Sequence, residues 1–223
     1  MSQPQTFDGF GRGVVPFFQG LQADNSREYW LAHKAVFESD VADPLRNLAA
    51  ALGDEFGTVK VYRPNRDLRF TADRRPYQEQ ARLGASSNDS AGGLFLQVSV
   101  DGLFLGGGCF HLASDQVDRW RIAVADDAVA ADLLRTIESL LAAGFPLLEG
   151  DSMTGTPRGW SKDHPRIGLI RRRNLAVGRF FEPDVLYSKA LLDIVRHGWS
   201  VSERWLAWLD EHIGPADQTG GRT

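Results

Sequence analysis

Between Tyr62 and Arg82 the sequence reads YRPNRDLRFTADRRPYQEQAR, which places six arginines in a short stretch of a chain whose formal net charge is −4. Guanidinium groups gathered in this way do one chemistry well. They hold a carboxylate or phosphate through paired N–H donors, and they stay charged at any working pH. Arg63, Arg66, Arg69 and Arg74 are the candidates to hold such an anion, with Tyr77 beside them to stack on a ring, to donate a hydrogen bond, or simply to anchor the loop in the core. Asp67 and Asp73 lie among these arginines, either as a candidate general base or as carboxylates that only orient a guanidinium.

A second basic stretch, Arg158 to Arg173, offers Arg158 and Arg171 to the same anion and His164 as the histidine best placed for acid–base work. From Lys60 to Arg82 seven basic residues face three acids, and from Arg158 to Arg173 six face one, so two basic islands sit in a chain that is otherwise strongly acidic. Two like charges about 7 Å apart cost about 2 kcal/mol at an effective dielectric near 20. For Arg66, Asp67 and Arg69 the plain structural alternative is a salt-bridge lattice that pins an irregular loop. Three acids cannot neutralise seven bases, however. If the two islands fold onto one face, the surplus calls for a bound anion or open solvent.

Other residues carry weaker signals. Gly106-Gly107-Gly108 lacks the spacing of a dinucleotide loop, and no P-loop pattern occurs. The triplet reads either as a sheet bend packed under a helix, or as bare backbone at Gly107 and Gly108 against which a ligand rests. Cys109 and His111 would share a strand face, as a Cys–His nucleophile or, more simply, as a buried small hydrophobe and its neighbour. The five histidines, at 33, 111, 164, 197 and 212, have no metal-ligand spacing, so neither a metal nor a cofactor is expected. Trp160, in the loop Arg158-Gly-Trp-Ser, is an aromatic interleaved with basic residues, an arrangement that suits single-stranded nucleic acid.

These groups must be positioned by the elements around them. Val14, Phe17, Phe18 and Leu21 follow helical spacing. Asn25 with Glu28 predicts a capping box that opens a helix burying Trp30, His33 and Phe37. Asp43-Pro44 predicts the start of another helix, running to about Phe56, and residues 58–62 alternate as a strand. Arg63, before Pro64, must remain extended. Residues 94–105 predict a β-hairpin turning at Asp101-Gly102 through a type I′ turn. Val117, Trp120 and Val124 mark one helix, and the apolar series from Val129 to Leu141 a stronger one ended by Gly144 and Pro146. Residues 150–162 read as a loop, Asp163 caps a short helix, and 174–181 reads as a strand. Two closing helices are expected, at 183–197 and 201–213, the second opened by the box Ser200-x-x-Glu203. The fold class is therefore α+β. It is expected as a single domain with a mainly antiparallel central sheet, helices from both flanking thirds of the chain, an ordered core over 7–213 and a flexible tail over 214–223.

Composition sets the frame. The 223 residues are 43% hydrophobic and 24% charged, and no apolar run approaches the roughly 18 residues that cross a bilayer. The N-terminus lacks the layout of a signal peptide, and a single cysteine excludes an internal disulfide, so a cytoplasmic protein is expected. A sequence pI near 5.7 excludes a non-specific nucleic-acid coat.

Several segments together resemble one family. They are Asn25-x-x-Glu28-Tyr29-Trp30 followed by Lys34, then Arg63-x-x-Arg66-Asp67-x-Arg69-Phe70, then Asp73-x-x-Pro76-Tyr77. The glycine triplet, Pro157-Arg158-Gly159-Trp160, and His164-Pro165 leading into Leu169-Ile170-Arg171 complete the set. The pattern, over roughly residues 7–212, is similar to that of the family filed as domain of unknown function 2461. The resemblance implies no activity and assigns no catalytic residue. Where that family usually reads Asp-Lys-Ser-Pro-Tyr-Lys, this chain has Asp73-Arg74-Arg75-Pro76-Tyr77-Gln78. That departure disfavours a mechanism needing a deprotonatable lysine and suits one needing a permanent cation.

The leading expectation is a metal-independent pocket protein, and beyond that an enzyme, acting on a small anionic ligand such as a nucleotide or phosphoester. The alternatives use the same basic face: a nucleic-acid-binding module, or a module that docks an acidic protein. No membrane partner is expected.

Overall fold

The computed structural model describes residues 7–69 and 72–217. Most of the expected tail lies outside the described residues. Helices flank a five-stranded antiparallel sheet with strands in the order β1-β2-β3-β4-β5, so the chain is α+β as expected. The strands are Val59–Val61 (β1), Ala81–Ser86 (β2), Gly93–Ser99 (β3), Gly102–Cys109 (β4) and Leu175–Phe181 (β5). Among the described residues no helix is long and apolar enough to cross a membrane.

The chain clusters into two compact units. One takes the sequence up to Ala85 together with Phe95–Leu105 and Phe180–His197. The other takes Ser86–Leu94, Gly106–Arg179 and the chain from Gly198 onward.

In the first unit α1 (Val14–Ala23) buries Val14, Phe17, Phe18 and Leu21, the residues its helical spacing selects. α2 (Arg27–Phe37) is capped by Ser26, whose Oγ accepts from the Tyr29 N–H at 3.1 Å. This corrects the assignment of the cap to Asn25, whose side chain is engaged elsewhere. α2 runs through a π-helical turn, Glu38–Ala42, into α3 (Asp43–Phe56), rather than stopping before a new helix. Proline explains the turn. Pro44 has no N–H for the Asp40 carbonyl and would crowd it in a regular helix. In the π turn the Asp43 N–H bonds to the Glu38 carbonyl, while the Asp40 carbonyl accepts from the Gly11 N–H at 3.1 Å. Aromatic rings knit this unit: Phe17 meets Phe37 at 5.3 Å, Trp30 meets Phe37 at 4.7 Å, and Trp30 stacks on Tyr77 at 4.2 Å and 8°.

The hairpin forms where expected, but not with a type I′ turn. That turn needs positive φ at both central residues, and Gly102 has φ +102° while Asp101 does not. Ser99 Oγ accepts from the Asp101 N–H at 3.2 Å and tightens the corner.

The second unit packs α4 (Ser114–Ala125), α5 (Asp127–Ala142) and the four-residue α6 (Ile167–Ile170) around buried Trp120, Leu133, Ile170, Leu175, Val177, Trp205 and Leu209. The expected pair of closing helices is a short 3₁₀ turn, Pro183–Tyr187, followed by one continuous helix, α7 (Leu191–His212). The Ser200–Glu203 box does not start a helix, because buried Val195, Trp199, Trp205 and Leu209 carry one apolar stripe past it, with buried Ser202 donating its hydroxyl back to Gly198 O.

The glycine triplet lies inside β4, beside β5 and α7. A Cβ on Gly106 would overlap the Val177 carbonyl, one on Gly108 the Leu175 carbonyl, and one on Gly107 would sit 2.8 Å from Ser202 Cβ. Gly106→Ala should therefore cost on the order of 2–3 kcal/mol, a fall of about 5–10 °C in Tm. Gly53→Ala, in α3 with nothing within 4 Å of the added methyl, should gain about 0.5–1 kcal/mol. Thermal unfolding of both variants checks the packing; an unchanged Tm for Gly106→Ala contradicts it.

Candidate functional site

The first basic island is a prolongation of the β1–β2 ladder. Val61 pairs with Leu83, and the Tyr62 N–H donates to the Arg82 carbonyl at 3.1 Å. Beyond it the Gln78 N–H donates to Pro64 O at 2.7 Å, Asn65 bridges Tyr77, and the Arg66 N–H donates to Pro76 O at 2.9 Å. Proline at 64 favours the extended conformation that this ladder needs. Asn25 holds the returning limb from the side. Its Oδ1 accepts from the Tyr77 N–H at 3.0 Å, and its Nδ2 donates to Tyr77 O at 3.1 Å and to Glu79 Oε1 at 3.3 Å. Tyr77 is buried, its ring flat against Trp30. Its position is that of an anchor for the loop.

At the tip of the loop the carboxylates are committed to arginines. Asp67 receives Arg69 through Nε at 3.0 Å and Nη2 at 2.7 Å. Asp73 receives Arg66 Nη1 at 2.5 Å and Arg75 Nη2 at 2.7 Å, and Arg75 also reaches Glu79 at 2.5 Å. The Arg69 side chain, with its backbone N–H, pushes the Asp67 carboxyl down to about 2. Arg75 first, then Arg66, holds Asp73 well below the usual carboxylate range. Groups this acidic are poor proton acceptors at neutral pH, and their geometry is that of residues orienting arginines. Arg66 and Arg69 are likewise tied into this lattice.

Lys60, Arg63, Arg74 and Arg82 remain. Lys60 Nζ and Arg82 Cζ stand 5.1 Å and 5.5 Å from the centre of the half-exposed Tyr62 ring. Arg63 and Arg74 are exposed, and neither makes an ion pair among the described residues.

Arg63 stands at a cavity of about 260 Å³. Trp30 and Phe37 come from α2, Glu38 and Ala42 from the π turn, Leu45 and Arg46 from α3, and Val61, Pro64, Gln80 and Ala81 from the two limbs of the β1–β2 ladder. The walls are mostly apolar and the charged groups are Glu38, Arg46 and Arg63. Glu38 Oε2 accepts from Arg46 Nη2 at 2.8 Å, and Arg46 Nη1 bonds to Asp43. A larger space of about 680 Å³, bordered by Asp8, Asp43, Ser39 and Asn47, has two acids and no base in its lining, so it does not suit an anion. Glu38 and Arg46 were not among the residues the sequence singled out, and Trp30 was named only as a helix-core residue and as part of the family pattern. The spacing of 38, 42, 45 and 46 is that of one helical face, which is the signal that could have found this wall.

The second island lies in the other unit. Arg166 donates Nε to Val124 O at 2.7 Å and Nη2 to Ala125 O at 3.0 Å, satisfying the end of α4, and it also pairs with Asp127 at 2.6 Å. Arg172 donates to the carbonyls of Asn174 and Leu148. Arg171 is partly buried, with no hydrogen-bond partner on its Nε, and Arg158 is exposed. His164 Nδ1 accepts from the Arg166 N–H at 3.1 Å, and its ring meets Trp160 edge-on at 6.0 Å. Gly107 and Gly108 are buried, with protein filling the space that a ligand would need beside them. Cys109 donates its thiol to the His111 carbonyl at 3.2 Å, and burial pushes the thiol above its ordinary value. Among the described residues no three His, Cys, Asp or Glu side chains gather as a metal site.

The family model described as "Conserved hypothetical protein (DUF2461)" matches residues 13–208. The chain belongs to this family. No curated protein and no solved structure matches it. Membership of the family fixes no reaction, so the chemistry is read from the side chains themselves.

Two measurements test these assignments. The Asp67 carboxyl should titrate by NMR near pH 2 instead of its ordinary 3.8. Because its folded value is depressed, the stabilisation it lends is present above about 3.8 and lost as pH falls through about 2; a midpoint near 3.8 contradicts the Asp67–Arg69 fork. Cys109 should alkylate at pH 8 more slowly than free glutathione and accelerate only at higher pH, since burial disfavours the thiolate. A rate equal to that of glutathione contradicts the buried thiol.

Proposed function

We propose that the cavity walled by α2, the π turn, α3 and the β1–β2 ladder binds a small molecule with one carboxylate and an apolar body, in preference to a phosphoester. The observation that carries this reading is Arg63, a guanidinium that lines the cavity and makes no ion pair among the described residues, with Asp67 acting on it only through space. The other charged groups of the lining, Glu38 and Arg46, are paired with each other, and Arg46 is shared with Asp43. A lone guanidinium matches one carboxylate. A dianionic phosphate would enter with a charge the lining does not balance, because Arg66, Arg69 and Arg75 are already engaged by Asp67, Asp73 and Glu79. Trp30, Phe37, Leu45 and Val61 offer the apolar body a surface whose burial supplies about 25 cal/mol per Å². The volume, about 260 Å³, lies just under the roughly 300–1,000 Å³ of sites for drug-sized ligands, which points to a compact molecule. Binding is the function read here. Of the groups in the lining, Glu38 alone could take up a proton, and it is engaged with Arg46.

Thermal-shift titration with phenylacetate, 3-phenylpropionate and 4-methylvalerate, beside phenyl phosphate and AMP, tests the reading. The carboxylates should give saturable stabilisation, about 5–10 °C at a hundredfold excess over Kd, and the phosphates less. Arg63→Gln should weaken carboxylate binding tenfold or more, whereas Arg74→Gln should leave it unchanged. Stabilisation that survives Arg63→Gln, or carboxylates that give no shift, overturns the assignment.

A further inference from the structure

Glu38 gives the same cavity a second polarity, and this inference rests on the pocket reading above. We infer that the acid bound there is a free α-amino acid with a large apolar side chain, its carboxylate on Arg63 and its ammonium on Glu38. Glu38 Oε2 is held by Arg46, but Oε1 has no hydrogen bond among the described residues. The Glu38 side chain lines the cavity and is 44% exposed. The carboxylate is held in position from two directions. Arg46 is braced by Asp43 on its far side, and the Glu38 backbone is fixed by the π turn, where its carbonyl accepts from the Asp43 N–H. A cation arriving at Oε1 therefore meets a carboxylate already oriented, which lowers the ordering cost of binding.

The three features of the cavity match the three parts of one molecule. Arg63 takes the carboxylate, Glu38 takes the ammonium, and the walls at Trp30, Phe37 and Leu45 take the side chain. A simple carboxylic acid leaves Glu38 Oε1 facing solvent and an amine leaves Arg63 unanswered, so neither uses the whole site. The small volume favours a free amino acid over a peptide, whose further residues would have to lie outside it.

Isothermal titration of the whole chain with L-phenylalanine, L-leucine, 3-phenylpropionate and phenethylamine tests the inference. L-phenylalanine should bind at least tenfold more tightly than 3-phenylpropionate, and phenethylamine should not bind detectably. Glu38→Gln should bring L-phenylalanine and 3-phenylpropionate to within about twofold of each other, by weakening the amino acid alone. If 3-phenylpropionate binds the native protein as tightly as L-phenylalanine, recognition of the ammonium is wrong while the carboxylate pocket stands. If neither amino acid nor acid binds, both readings fall. The native-protein comparison needs no variant, so the inference can be refuted even if Glu38→Gln fails to fold.

Discussion

One side-chain amide docks the extension of the β1–β2 ladder onto the helices of the first unit. Asn25 offers Tyr77 an acceptor and a donor in the pattern that a neighbouring strand would use, at 3.0 and 3.1 Å, and so docks an irregular loop as if it were paired. From that contact follow the Tyr77–Trp30 stack, the ladder from Pro64 to Gln78, and the place of Arg63 beside the apolar wall. The role requires Asn25 to be free of helix capping, which Ser26 takes over one residue later. A neighbouring pair of polar residues thus divides two tasks that the sequence pattern merges into one.

The charge surplus on the two islands resolves in different ways. In the first, three carboxylates each take an arginine, and the cations left over are Lys60, Arg63, Arg74 and Arg82, two of them lying over the Tyr62 ring. In the second, Arg166 and Arg172 are satisfied largely by backbone carbonyls: the ends of α4 for Arg166, and Leu148 and Asn174 for Arg172. Balancing arginines only against aspartates and glutamates overlooks these partners. Carbonyl oxygens at a helix end carry the partial negative charge of the macrodipole, and a guanidinium there leaves no demand for an external anion. The case for an anion consequently narrows from the whole islands to the cations without an ion pair among the described residues, of which Arg63 lines a cavity.

What the sequence disclosed depended on whether a signal was local and periodic. α1, α4 and α5 lie where apolar spacing placed them, and α3, the hairpin strands and β5 lie where they were expected from a helix start, from alternation about Asp101-Gly102 and from a strand-like stretch. Those patterns arise directly from which side chains must leave water. The failures share a cause as well. The Asn25 cap, the Ser200 box and the type I′ turn were each inferred from a short motif, and each was outweighed by a contact made over a longer distance. Tyr77 claims Asn25, the stripe from Val195 to Leu209 carries α7 past Ser200, and Gly102 alone supplies the positive φ at its corner. The cavity escaped notice for a related reason. Its charged pair, Glu38 and Arg46, lies on the helical segment that packs beside the loop, and that long-range neighbourhood leaves no local pattern in the sequence.

Pro44 shapes that helical segment. A regular helix from Arg27 to Phe56 would keep the Asp40 carbonyl within the helical ladder, where Pro44 cannot donate to it. The chain instead widens by one residue and passes that carbonyl to Gly11. Such insertions lose regular helical bonds and persist where the altered register is used, which is why they gather at functional sites. The π turn and α3 supply Glu38, Ala42, Leu45 and Arg46 to the cavity lining, and the extended limb after β1 supplies Arg63.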